Sequence, residues 1–139
     1  MKRSNLSNQI REKVAQRADF HCEYCLLPDK VTFYNFHIDH IKSVKHGGSS
    51  HIDNLAYCCP DCNYCKGSDI GSFTENDEIV RFFNPRKDKW NDHFSLVDGI
   101  IHCKTDIAKA TQSIFQFNEL DRLIFRRQLI LQNQYTILS

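Results

Sequence analysis

The chain predicts an α+β fold from three observations. A narrow apolar stripe lies near the N-terminus, β-branched and aromatic runs occupy the middle, and an amphipathic stretch lies near the C-terminus. Leu6, Ile10, Val14 and Ala18 recur every four residues, and Ser7 stands as N-cap, so residues 7–19 are predicted helical. Residues 31–41, VTFYNFHIDHI, have the composition of a strand. Gly47-Gly48 marks a loop, and Asn54 to Tyr57 reads as a short second strand. Pro60 can open a helix, because its missing N–H costs nothing in the first turn. That helix would carry Cys62, Asn63 and Lys66 and end near Gly67. The polar stretch Ser68 to Asp77 suggests a boundary. Beyond it, His93–Val97 and Ile100–Lys104 flank Asp98-Gly99, a type I′ hairpin signal. Leu120, Leu123, Ile124, Ile130 and Leu131 predict a last amphipathic helix, with Asn118 placed to cap it.

With 139 residues, 41% hydrophobic and 25% charged, the chain reads as one globular domain or one with a small appendage, which excludes disorder as the default. No apolar run approaches the roughly 18–20 residues a bilayer crossing needs. The opening MKRSNLSNQIREK has basic residues and no apolar segment behind them, so neither a secretory signal nor a membrane is expected, and the expected location is cytoplasmic. The net charge of +1 decides little. Local clustering says more: Lys2, Arg3, Arg11, Lys13 and Arg17 face only Glu12 within residues 1–18, either as a solvated helix face or as a phosphate-contacting patch.

Seven cysteines, an odd number, in a chain expected in a reducing compartment argue for metal ligation over a disulfide framework. Cys22-Glu-Tyr-Cys25 and Cys59-Pro-Asp-Cys62 are two C-x2-C knuckles, each able to present two thiolates from one tight turn and together a tetrahedral zinc site. Thirty-three residues, 26 to 58, are looped out between them. The second pair is open to choice, since Cys62 and Cys65 share the spacing and Cys58 adjoins Cys59; Pro60 favours Cys59 and Cys62.

Within and after that loop stand His37-Ile38-Asp39-His40-Ile41, Gly47-Gly48, Asn54-Leu55, Cys59-Pro-Asp-Cys62-Asn63 and Lys66-Gly67. In this order, over residues 10–72, they resemble the HNH endonuclease family. The resemblance implies a ββα-metal core, in which a β-hairpin and a helix grip one divalent cation while four cysteines hold a structural Zn²⁺. It implies His40 as general base, Asn54 as the residue orienting it, and Asp39 with Asn63 as ligands of the catalytic cation. Asn63 departs from the imidazole of many relatives, and a carboxamide with a carboxylate makes a hard oxygen set suited to Mg²⁺ or Mn²⁺. The implied activity is hydrolysis of DNA phosphodiester bonds, with duplex DNA as partner. An imidazole ordinarily titrates near pH 6.5, so histidine suits activation of water at neutral pH. Lys66, three residues beyond Asn63, shares its helical face and is expected at a phosphate oxygen. Adjacent strand residues point to opposite faces, so Asp39 and His40 can serve one phosphate only where the strand ends or twists.

Residues 1–72 are thus expected to form the nuclease domain, and 73–139 a hairpin–helix extension. His37 is a further candidate for contact with metal or DNA. Tyr24, Tyr57, Trp90 and Phe94 are expected to pack. Arg86, Lys87 and Lys89 form a patch diluted by Asp88 and Asp92, and Arg122, Arg126 and Arg127 are expected on a solvated face. Two rival functions stay open. One is a zinc-dependent nucleic-acid-binding module without catalysis; the other is a redox or zinc sensor using Cys58, Cys65 and Cys103.

Overall fold

A computed structural model describes residues 6–135; Lys2 and Arg3 of the basic cluster lie outside the described residues. Helix α1 (Asn8–Arg17) begins where Ser7 accepts a hydrogen bond from Ile10 N at 3.2 Å, and it buries Val14 and Ala15. Strands β1 (His37–His40) and β2 (Leu55–Cys58) pair antiparallel, with His40 opposite Leu55 and His37 opposite Cys58. Helix α2 (Pro60–Lys66) follows, with Pro60 in its first turn as its chemistry demands. Together β1, β2 and α2 are a ββα unit on which α1 packs through β2.

Several elements depart from the sequence reading. The predicted strand begins at 37 rather than 31, because Phe33 and Tyr34 project into solvent in a loop that no neighbouring strand pairs. The polar stretch near residue 72 holds a hairpin, β3 (Gly71–Phe73) with β4 (Ile79–Arg81). Helix α3 (Trp90–His93) leads into the expected hairpin, β5 (Phe94–Val97) and β6 (Ile100–Cys103). Helix α4 (Asp106–Phe115), absent from the reading, is capped by Thr105, which accepts from Ala108 N. Helix α5 (Leu120–Leu131) is capped by Glu119 rather than Asn118, whose amide instead pairs with both Ile101 N and Ile101 O.

One core runs across position 72. Phe115 of α4 packs on Tyr24 with the rings tilted, 4.9 Å between centroids, and meets Phe82 edge-on at 5.2 Å. Trp90 packs on Phe94 and donates its indole N–H to Tyr24 O at 2.9 Å. Helix α4 lies against β3, β4, β6 and α2. Helix α5 turns Arg126 and Leu129 inward while Leu120, Ile124 and Leu131 stay exposed, so its sequence stripe is not its buried face. The reason is hydrogen bonding: Arg126 is 3% exposed and donates to Gly99 O, Phe117 O and Asn118 Oδ1. Among the described residues, no helix is long and apolar enough to cross a membrane.

Candidate metal centre and active site

The two knuckles are built locally. At the first, Leu26 N donates to Cys22 O at 2.9 Å, Cys22 N to Leu27 O at 2.8 Å, and Cys25 N approaches Cys22 Sγ at 3.5 Å. At the second, Cys59 is the N-cap of α2, and its sulfur accepts from Cys62 N at 3.4 Å. A thiolate suits that position, since the helix N-terminus carries partial positive charge. The ligand atoms of Cys22, Cys25, Cys59 and Cys62 all lie within 4.8 Å of one another, and all four residues are buried. Cys25 and Cys59 sulfurs stand 3.7 Å apart, close to the about 3.8 Å edge of a tetrahedron with 2.3 Å Zn–S bonds. Cys58 and Cys65 fall outside this group.

Electrostatics support a cation at this centre. Burial pushes the Cys22 thiol up, but hydrogen bonds from Cys25, Cys58, Cys59 and Cys62 outweigh it and hold it well below its ordinary value. Cys59, facing Cys22 and Cys25, is driven up, as is Cys62 by burial and by Cys22. Four buried sulfurs do not all ionise side by side unless a dication neutralises them, and Zn²⁺ does that. The cluster fits structural zinc.

The His37–His40 string of β1 ends in two unlike environments. Asp39 is 5% exposed; its Oδ2 accepts from Tyr24 OH at 2.7 Å and its Oδ1 from Lys66 Nζ at 3.0 Å. Burial pushes the Asp39 carboxyl up, and the Lys66 charge and Tyr24 hydroxyl act against that push. Lys66 is therefore not at the protein surface, where a phosphate would need it. Its side chain is 1% exposed, and its ammonium also donates to His40 O at 2.9 Å. His40 is half-buried at the strand end, and its Nε2 lies 3.0 Å from Ser50 Oγ.

Asn54 braces the loop that brings Ser50 there. Its Oδ1 accepts from Lys42 N at 2.9 Å, and its Nδ2 donates to Lys42 O at 2.9 Å and Ser49 O at 2.7 Å. Asn63 sits half-buried on α2, one residue after a zinc ligand. His37 is exposed on β1. Arg11 and Lys13 are exposed on α1, whereas Arg17 donates to Ile52 O and Leu55 O and so ties α1 to β2. Arg86, a candidate backbone contact, pairs with Glu23 of the first knuckle. Tyr24 packs as expected but also carries the hydroxyl on Asp39. Ser50 and Arg122, which reaches Cys62 Sγ at 3.0 Å, were not legible as site residues.

A hairpin and a helix beside a four-cysteine centre, with a histidine at the strand end, define a ββα unit whose cysteine cluster fits zinc. The HNH endonuclease family model matches residues 22–69, so that segment is an HNH domain. A search of curated proteins and a search of solved structures each returned no match.

Proposed function

We propose that this protein is a metal-dependent endonuclease that hydrolyses phosphodiester bonds of duplex DNA, with His40 as general base. The observation that carries the reading is the position of His40: at the end of β1, half-buried, held at Nε2 by Ser50, and inside the HNH segment. The contact of Nε2 with Ser50 Oγ orients the imidazole, and histidine is the side chain suited to take a proton from the attacking water. Asn54 serves this step through the Lys42–Ser49 loop. Asp39 and Asn63 would hold one Mg²⁺ or Mn²⁺. A carboxylate offers about four lone-pair sites, of which Tyr24 and Lys66 take two. Such a cation would neutralise charge at the scissile phosphate and the departing 3′-oxygen. Arg11, Lys13 and His37, all exposed, are the candidates for backbone contact.

One observation favours a second reading. The Asp39 carboxylate already has a cation in Lys66, as a zinc-dependent nucleic-acid-binding module without catalysis would also have.

Supercoiled plasmid incubated with the zinc-loaded protein across Mg²⁺ and Mn²⁺ series separates the two. We expect nicking by the wild type, and His40→Ala should lose about 10²–10⁴-fold in rate while binding and zinc content stay. A wild type that binds yet never cuts in either metal would leave the module. A zinc-loaded His40→Ala that cuts at the wild-type rate would pass the role to His37.

A further inference from the structure

We propose that Arg122, on the last helix, is the resident counter-cation of the zinc thiolates and sets how tightly the HNH unit holds its metal. Zn²⁺ with four thiolates carries a net formal charge of minus two. Here that charge is placed among residues at most 3% exposed. Burying such a charge is costly unless polar groups meet it. The knuckle amides of Cys25 and Cys62 supply two weak contacts, to Cys22 Sγ at 3.5 Å and Cys59 Sγ at 3.4 Å. Among the described residues, Arg122 is the only cationic side chain hydrogen-bonded to one of the four sulfurs: its Nη2 reaches Cys62 Sγ at 3.0 Å.

The rest of the guanidinium is fixed by neighbours. Nη1 donates to Phe115 O at 2.6 Å and Gln116 O at 3.2 Å, the carbonyls that end α4. The group lies 5.7 Å from the Phe117 ring centroid, and Nε stands 3.8 Å from Asp61 Oδ2. Its side chain is 11% exposed. A planar fork presents donors on separate nitrogens to a thiolate and a helix end at once, whereas an ammonium offers all its donors from one atom. The fork thus ties the C-terminal half of the chain to the sulfur that precedes Asn63. This inference rests on the zinc centre alone and does not depend on the nuclease reading.

The competing explanation is that Arg122 only caps α4. Two readouts on the full-length protein separate them: zinc affinity by competition with a chromogenic chelator, and the sulfur-to-cobalt charge-transfer band after Co²⁺ substitution. Arg122→Met should weaken zinc binding by about 10–100-fold, the usual range for groups that contact metal ligands, and shift the cobalt band. Arg122→Lys, which keeps charge without the fork, should fall between. If Arg122→Met does not fold, Arg122→Lys decides: weaker zinc binding with a shifted band supports the proposal. Wild-type zinc affinity and an unmoved band in the folded variant, even with a lowered unfolding midpoint, would reduce Arg122 to a helix cap and overturn it.

Discussion

Lys66 is a cation that the helix of an HNH unit turns inward. Its ammonium holds Asp39 and the carbonyl of His40 together, 27 and 26 residues away in sequence. Motif spacing reveals a lysine three residues after Asn63; it does not reveal which way that lysine faces. The energetic consequence is testable. Removing one partner of a buried ion pair leaves the other charge uncompensated, at a cost of about 3–5 kcal/mol. Lys66→Met alone should lose about that much in urea unfolding of the zinc-loaded protein. Asp39→Asn alone should also be strongly destabilised, because Lys66 is then buried without its anion. The double variant should lose clearly less than the two singles added together. Simple additivity would mean that the pair does not act as a unit in the folded core.

Among the elements, those with local signals were legible. Ser7 starts α1, Pro60 starts α2, and Asp98-Gly99 turns β5 into β6, because caps, prolines and tight turns are decided within a few residues. Elements decided by packing were not. β3 and β4 are only three residues each, too short to show an alternation, and α4 carries Ile107, Thr111 and Ile114, whose β-branched side chains lower helix propensity until a core receives them. At the site, the four cysteines could be named from spacing, and His40, Asp39 and Asn54 only from the family resemblance. Their hydrogen-bond partners could not, since Tyr24, Ser50 and Arg122 arrive from other parts of the chain. The loop between β1 and β2 shows how an element serves the site. Gly47 adopts φ 83°, and Gly48 N donates to Ser43 O at 2.9 Å. A Cβ on Gly48 would lie 1.7 Å from Lys42 O, a backbone atom with no room to retreat. Gly48→Ala should therefore destabilise the protein by about 1–3 kcal/mol. It should also pull the Lys42–Ser49 bracket off Asn54, which chemical-shift changes at His40 and Ser50 would report. Unchanged stability and unchanged shifts would show that the loop tolerates the methyl and does not govern Ser50.

At the scale of the whole molecule, the zinc centre and the aromatic core are one structure. Tyr24, between Cys22 and Cys25 of the cysteine cluster, packs on Phe115 and gives its hydroxyl to Asp39, so a single ring joins metal centre, C-terminal half and candidate site. Tyr135 OH closes the same assembly by donating to Cys25 O. A cut after residue 72 would break the β3–β4 hairpin and remove Phe115, Arg122 and Tyr135 from this assembly. The remaining chain, at about 70 residues, has a size at which a core rarely suffices without a metal, and its metal centre would have lost its arginine. We therefore expect a 1–72 fragment to bind zinc more weakly than the full chain and to unfold at lower urea. In the full chain, removing zinc with a strong chelator should cost stability across both halves, because metal binding is part of the folding free energy and the core is shared. Amide hydrogen exchange before and after chelation measures this directly. Protection should fall at α4 and β6 as well as at α2. If chelation loosens residues 22–69 while α4 and β6 keep full protection, the two halves fold independently, and the division at residue 72 is a true domain boundary.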